Sequence, residues 1–298
     1  MSFTLLLDLY GLRAFFSPEL IAIIVVLTAA YLYATRRKPG QPPLVTGRRK
    51  ILFILGMICF YLGWGGPLNV LGHFLFGAHM LQMAILFLAM PPLLLLSLPV
   101  SWFERLLKPR PVKKTVSVLT QPLFAILTFN FLFSLYHMPF IFDPVMSNFT
   151  LHTAVHLLLE VTAFMMWWPV VCPIESMDRL SGLQKMGYMF ANGVLITPAC
   201  ALIIFADVPL YRLYTEGADL LCLPFGYVSF DSPQTLNLLP MSVREDQQSG
   251  GVIMKVVQEI IYGWVLAFNF YRWYRAERAM EDEEQEQWGR EGMSPEPR

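Results

Sequence analysis

Charge is what this chain has least of. Only 15% of its 298 residues are Asp, Glu, Lys or Arg, and the 22 basic side chains balance the 22 acidic ones. So thin a polar complement cannot keep a chain that is 55% hydrophobic in water, which excludes a soluble protein. Cysteine is scarce as well. Cys59, Cys172, Cys200 and Cys222 have neither disulfide nor zinc-ribbon spacing, so a cross-linked or cysteine-rich zinc fold is excluded. Cys59, Cys172 and Cys200 read as packing residues, and Cys222 is the one placed to meet a metal or a thiol. Internal repeats and a soluble domain are also missing.

What remains is apolar runs long enough to cross a hydrocarbon core of about 30 Å, each closed by charge, proline or glycine. They lie near Pro18–Thr35, Ile51–Gly66, Phe76–Val100, Val116–His137, Leu151–Cys172, Leu183–Phe205 and Gly250–Tyr274. With no water to satisfy backbone groups these runs must be helices, and their length excludes barrel strands. The expected fold is an all-α, polytopic seven-helix bundle in one membrane domain, residues 1–276. The first sixteen residues lack the basic start and cleavage site of a secretory signal and read as a retained interfacial segment. Residues 277–298 are acidic and polar, which predicts a disordered cytoplasmic tail.

Lys and Arg set the orientation. Arg36, Arg37, Lys38, Arg48, Arg49 and Lys50 follow the first run, and Arg105, Lys108, Arg110, Lys113 and Lys114 follow the third. Arg179 and Lys185 follow the fifth; Arg272, Arg275 and Arg278 follow the seventh. The second-to-third and fourth-to-fifth connections carry none. The positive-inside rule then predicts an outer N-terminus and a cytoplasmic C-terminus, and puts the long connection 206–249, with Tyr211, Tyr214, Phe225, Tyr227 and Phe230, outside as a lid over the bundle.

That topology places all five histidines near the outer surface: His73 in a short connection, His79 early in the third run, His137 at the end of the fourth, and His152 and His156 in the first two turns of the fifth. Imidazole is expensive in a membrane without a partner, so a one-sided cluster reads as a metal or proton site. His152 and His156 are one turn apart on one face, with Glu160 a turn further on. His79 and Met83 repeat that spacing, and Met80 stands beside His79. Imidazole with thioether favours copper, as Cu(I), over a hard cation, with iron and zinc left open. The candidate ligands are His79, Met80, Met83, His137, His152 and His156. His73 reads as a histidine hydrogen-bonded in the packing. Asp246, Gln247 and Glu160 are candidates to orient imidazoles, with helix capping as the plainer role for the first two. Gly250 and Gly251 predict close helix contact.

Several segments carry a family resemblance. Gly77-Ala78-His79-Met80-Leu81-Gln82-Met83 before Met90-Pro91-Pro92, His152-x3-His156 before Trp167-Trp168-Pro169-Val170, Pro198 with Pro209-Leu210-Tyr211, and Asp246-Gln247-Gln248-Ser249-Gly250-Gly251-Val252-Ile253-Met254 resemble, in order and spacing, the CtaG-type assembly factors of bacterial cytochrome c oxidase. The resemblance implies a non-enzymatic protein of the bacterial cell (inner) membrane that matures a haem–copper oxidase at its copper centre. Its partners would be oxidase subunits, the bilayer and an extracytoplasmic copper donor, and no nucleic acid. Met83 stands where the family pattern carries a histidine, which favours Cu(I); Lys255 stands where it carries a tryptophan.

Other functions fit some of the same residues. A membrane cytochrome would clamp haem between His79 or His137 and a fifth-run histidine. A retinal pigment would use Lys255, but the third run offers no carboxylate counter-ion. A metal-free scaffold for the oxidase needs no ligands at all. Lys255 and Glu259, one turn apart, read as a mutually neutralising pair.

Overall fold

The computed structural model describes residues 11–13, 15–37, 39–40, 42–216 and 241–291, without the side chains of 284 and 286–291. Among these residues the regular structure is helical, with no strand. The order is α1 (Pro18–Ala34), α2 (Gly47–Trp64), α3 (Gly66–Phe74), α4 (Phe76–Ser97), α5 (Val100–Leu106), α6 (Arg110–Leu119), α7 (Pro122–Tyr136), α8 (Pro139–Met146), α9 (Phe149–Val171), α10 (Gly182–Ile204), α11 (Leu213–Glu216) and α12 (Val243–Glu291).

Six helical stretches are long and apolar enough to span: Gly11–Ala34, Gly47–Phe74, Phe76–Ser97, Phe149–Val171, Gly182–Ile204 and Val243–Glu283. The protein is therefore a multi-pass membrane protein. A seventh span exists only if α6 and α7, bent by 65° to each other, are taken together. The sequence reading joined them from Val116 to His137. Pro122 explains the break, because a residue before proline is driven out of the helical region, and Gln121 has ψ 128°. Alone, the 15 residues of α7 reach about 22 Å, short of the hydrocarbon core. α6 buries none of its residues. Its Val112, Val116 and Leu119 share one face, with Lys113 and Lys114 turned elsewhere, which is the pattern of a helix lying along an interface.

The core sits where α4 crosses the bundle. α4 packs through its first half on α3 and α12 and through its second half on α2 and α9, while α10 packs on α12 and α7. Pro91 and Pro92 have no N–H to give the carbonyls of Phe87 and Leu88 one turn earlier. The helix widens into a π turn at Ile85–Ala89, and Trp167 Nε1 of α9 donates to the Phe87 carbonyl at 3.1 Å. α1 stands outside this core. Tyr31, its sole buried residue, stacks on Phe53 with ring centroids 3.8 Å apart and donates to the Ser97 carbonyl at 2.8 Å.

Two other expectations change. The second run does not end at Gly66; the helix restarts there and continues as α3 to Phe74. α12 starts at Val243 and runs on to Glu291, so 277–291 is helical where disorder was expected. The segment holds helix-forming Ala, Glu, Arg, Met and Gln, with no proline, and extends a helix already nucleated, so each added residue needs no new nucleus. Most of the expected interfacial start, and Cys222, Phe225, Tyr227 and Phe230 of the expected lid, lie outside the described residues.

Candidate functional site

The five histidines meet at one end of the bundle, brought there by α3, α4, α7 and α9. The ring centroids of His152 and His156 are 4.0 Å apart, those of His73 and His152 5.8 Å, those of His79 and His156 6.2 Å, and those of His79 and His137 6.4 Å. His73, His79, His137 and His156 are buried, and His152 is half-buried.

Backbone geometry fixes two of these rings. His73 is not in a connection but in the last turn of α3, with Nδ1 2.8 Å from the Asn69 carbonyl; His137 caps the end of α7, with Nδ1 2.8 Å from the Phe133 carbonyl. A carbonyl only accepts, so both Nδ1 atoms carry the hydrogen, and in the neutral ring each Nε2 is left with a bare lone pair. Among the described residues neither Nε2 has a hydrogen-bond partner, although both are shielded from solvent. The Nε2 of His152 is in the same condition. Unpartnered buried polar atoms are rare in folded proteins, and three in one cluster, two of them acceptors, call for an explanation.

His79 and His156 face each other across Tyr136. The Tyr136 hydroxyl is 3.4 Å from His79 Nε2, from His156 Nε2 and from Met146 Sδ, and its single proton satisfies one of these three at a time. Beside the rings is a cavity of ≈ 40 Å³ lined by His73, His152, His156, Trp64, Asn69 and Gln82, among others. Gln82 donates to the Gly63 carbonyl at 2.6 Å and to Asn69 Oδ1 at 2.9 Å, so α4 grips the segment that carries His73. Gly72 permits this approach, since a Cβ there would stand 2.6 Å from Gln82 Oε1 and 3.3 Å from His79 Cα.

The residues expected to orient imidazoles work at one remove. Asp246 accepts from the Phe76 N–H at 2.7 Å and the Gly77 N–H at 3.1 Å. It caps α4 rather than touching a ring, and so sets the turn from which His79 projects. Gln247 accepts from the Leu210 N–H at 2.7 Å. That holds Tyr211, whose hydroxyl donates to the His137 carbonyl at 2.8 Å and whose ring stacks 4.7 Å from that of Phe76. Tyr214 donates to the Gly72 carbonyl at 2.8 Å, so two tyrosines of the long connection close over the histidines. Glu160 accepts from Trp64 Nε1 at 2.8 Å, and the Trp64 ring lies edge-on to His156 at 5.9 Å.

Met80 and Met83 are fully buried on α4, and Met80 packs toward α12, where a Cβ on Gly250 would meet its Cγ at 3.1 Å. The sulfur that joins the imidazole cluster through Tyr136 is that of Met146 on α8, which the sequence reading missed together with Tyr136. Their signal was faint: Tyr136 adjoins His137, but Met146 has no helical spacing to any histidine. As they stand, no three His, Cys, Asp or Glu side chains among the described residues converge as a ready metal cage. The imidazoles are gathered, and three Nε2 atoms have no hydrogen-bond partner among the described residues, but they are not closed around a point.

No curated protein and no solved structure matches this chain. A family model does, over residues 29–276, which takes in every candidate residue and all of the histidine-bearing helices. The chain belongs to the cytochrome c oxidase caa3 assembly factor family.

Proposed function

We propose that this protein serves assembly of the oxidase as a copper holder: it takes Cu(I) into the histidine cluster at the outer face of a bacterial inner membrane and releases it to an oxidase subunit. The observation that carries this reading is the three buried imidazole Nε2 atoms of His73, His137 and His152 with no hydrogen-bond partner among the described residues. Backbone carbonyls hold two of those rings by the other nitrogen, which is how proteins orient metal-binding imidazoles. His79, His152 and His156 would be the principal ligands, with His73 and His137 as flanking donors and Met146 as the nearest thioether. Met80 and Met83 would lie deeper in the core. A mixed imidazole and thioether set suits Cu(I), and one that is not closed into a cage suits cargo that must leave.

A metal-free scaffold for an oxidase subunit is the second reading, favoured by the lack of a converging triad among the described residues. Metal analysis of the purified protein under reducing conditions separates the two. About one copper per chain is expected in the unaltered protein and almost none in the His152→Ala/His156→Ala variant. Equal copper in both would sink the copper-holding reading. An uncoloured protein, with no haem absorbance, is expected in either case.

A further inference from the structure

At the opposite end of the bundle a cleft of ≈ 630 Å³ opens between α2, α4, α9 and α12. Its mouth carries Arg48, Arg49, Lys185 and Arg272 against a single carboxylate, Asp178, which Lys185 already pairs at 2.6 Å. The three arginines make no ion pair among the described residues. Arg48 and Arg272 are exposed, and Arg49 reaches only the Leu98 carbonyl, at 3.5 Å. Below the mouth the walls turn apolar, with Leu52, Leu95, Leu96, Trp264, Val265 and Phe268. Trp264 and Phe268 are largely exposed, as residues facing lipid would be.

The local electrostatics point to a missing anion. Arg48, Arg49 and Lys50 crowd the first turn of α2, where the helix dipole is positive and cations are unfavourable. That turn contains no acidic residue, and the N-cap, Thr46, makes no side-chain hydrogen bond to it. The start of α10 in the same cleft is different: Ser181 and Gln184 cap it reciprocally. An anion at the start of α2 would meet free N–H groups, the helix dipole and two arginines at once.

We infer that this cleft is a binding site for one anionic phospholipid of the leaflet at the basic end. Its phosphate would sit among Arg48, Arg49 and Arg272, and its acyl chains would lie along the Leu95–Leu96 and Trp264–Phe268 walls. A free phosphate would use the mouth but not the walls, so the apolar lining selects the lipid.

The test uses the full-length protein in detergent, with bound lipid counted by native mass spectrometry at rising concentrations of phosphatidylglycerol or phosphatidylcholine of matched chains. The unaltered protein is expected to bind one phosphatidylglycerol at least tenfold more tightly than phosphatidylcholine. Arg48→Gln/Arg272→Gln removes two exposed charges that make no ion pair among the described residues, Arg272 lying only over the Phe268 ring at 5.7 Å, and should weaken phosphatidylglycerol roughly 25-fold. Arg275→Gln/Arg278→Gln removes as much charge from the same end without touching the cleft, and should leave binding unchanged. Equal binding of the two lipids would overturn the proposal, as would equal weakening by both double variants, which would mean diffuse attraction only. Displacement by inorganic phosphate at equal concentration would overturn it in favour of a phosphate site.

Discussion

The two ends of this bundle treat polar groups in opposite ways. At the histidine end no Lys or Arg lines the cavity, the space is ≈ 40 Å³, and the rings are shielded and held by neighbouring backbone. At the basic end the cleft is ≈ 630 Å³, and of its cations Arg48 and Arg272 are exposed while Arg49 and Lys185 are half-buried. A small pocket walled by imidazoles suits a small ion stripped of its water. A large cleft with cations over an apolar wall suits an amphiphile. The same helices serve both because α4 is fixed twice along its length, by Asp246 at its start and by Trp167 at its π turn.

Removing the first of these fixings should have the largest effect. Asp246→Ala leaves two helix N–H groups without their charged acceptor, a loss of about 3 kcal/mol. Thermal unfolding in detergent should shift accordingly, and copper should fall with it because the turn carrying His79 loosens. Asp246→Asn keeps one acceptor oxygen and should lose about half as much. If Asp246→Ala unfolds earlier but holds copper normally, the histidine end does not depend on the cap, and the contrast between the ends has another origin.

Lys255 lies between the ends and tests whether charge is tolerated there only when paired. Its Nζ reaches Glu259 at 2.7 Å, Gln258 Oε1 at 2.8 Å, Thr197 Oγ1 at 3.1 Å and the Gly193 carbonyl at 3.2 Å. The sequence spacing had paired it with Glu259; Gln258 is a second acceptor on α12 itself, and Thr197 and Gly193 tie Lys255 to α10 as well. Glu259 is exposed on the outside of α12, so Lys255→Met leaves its charge facing the bilayer without a counter-charge and should destabilise, with Lys255→Met/Glu259→Gln less destabilised than that single variant. A double variant as unstable as Lys255→Met would show that the α10 contacts matter and the ion pair does not.

Much of this architecture was legible in the sequence because the bilayer enforces it. A run such as Pro18–Ala34 has no alternative to helix, and the absence of Lys and Arg beside every histidine-bearing turn marked one end before any coordinates did. The break at Pro122 was legible too, in the proline itself, but hydropathy alone ran across it. The site was less legible. His152 and His156 share a helix, so spacing revealed them, whereas Tyr136, Met146 and the bare Nε2 of His73 depend on contacts between α3, α7, α8 and α9 that no local period encodes. Asp246 read as a cap for its own helix and proved to cap another, because a side chain's partner across a bundle is a tertiary fact.

The smallest effect is expected midway along α4. Trp167→Phe keeps the aromatic bulk but takes the one donor that serves the Phe87 carbonyl, a group already denied its usual partner by Pro91. Leaving that carbonyl unpaired in a dry core should lower stability by about 1–2 kcal/mol, read as an earlier unfolding midpoint in detergent. The π turn also sets Phe87 against His156, with ring centroids 6.1 Å apart, so its loosening could reach the histidines. Yet His79 lies on the turn that Asp246 fixes, and His152 and His156 belong to the opposite end of α9 from Trp167. Copper content should therefore stay within error of the unaltered protein while stability falls. A matching loss of copper would mean that the π turn positions the imidazoles, and that the closed end extends to the middle of the membrane.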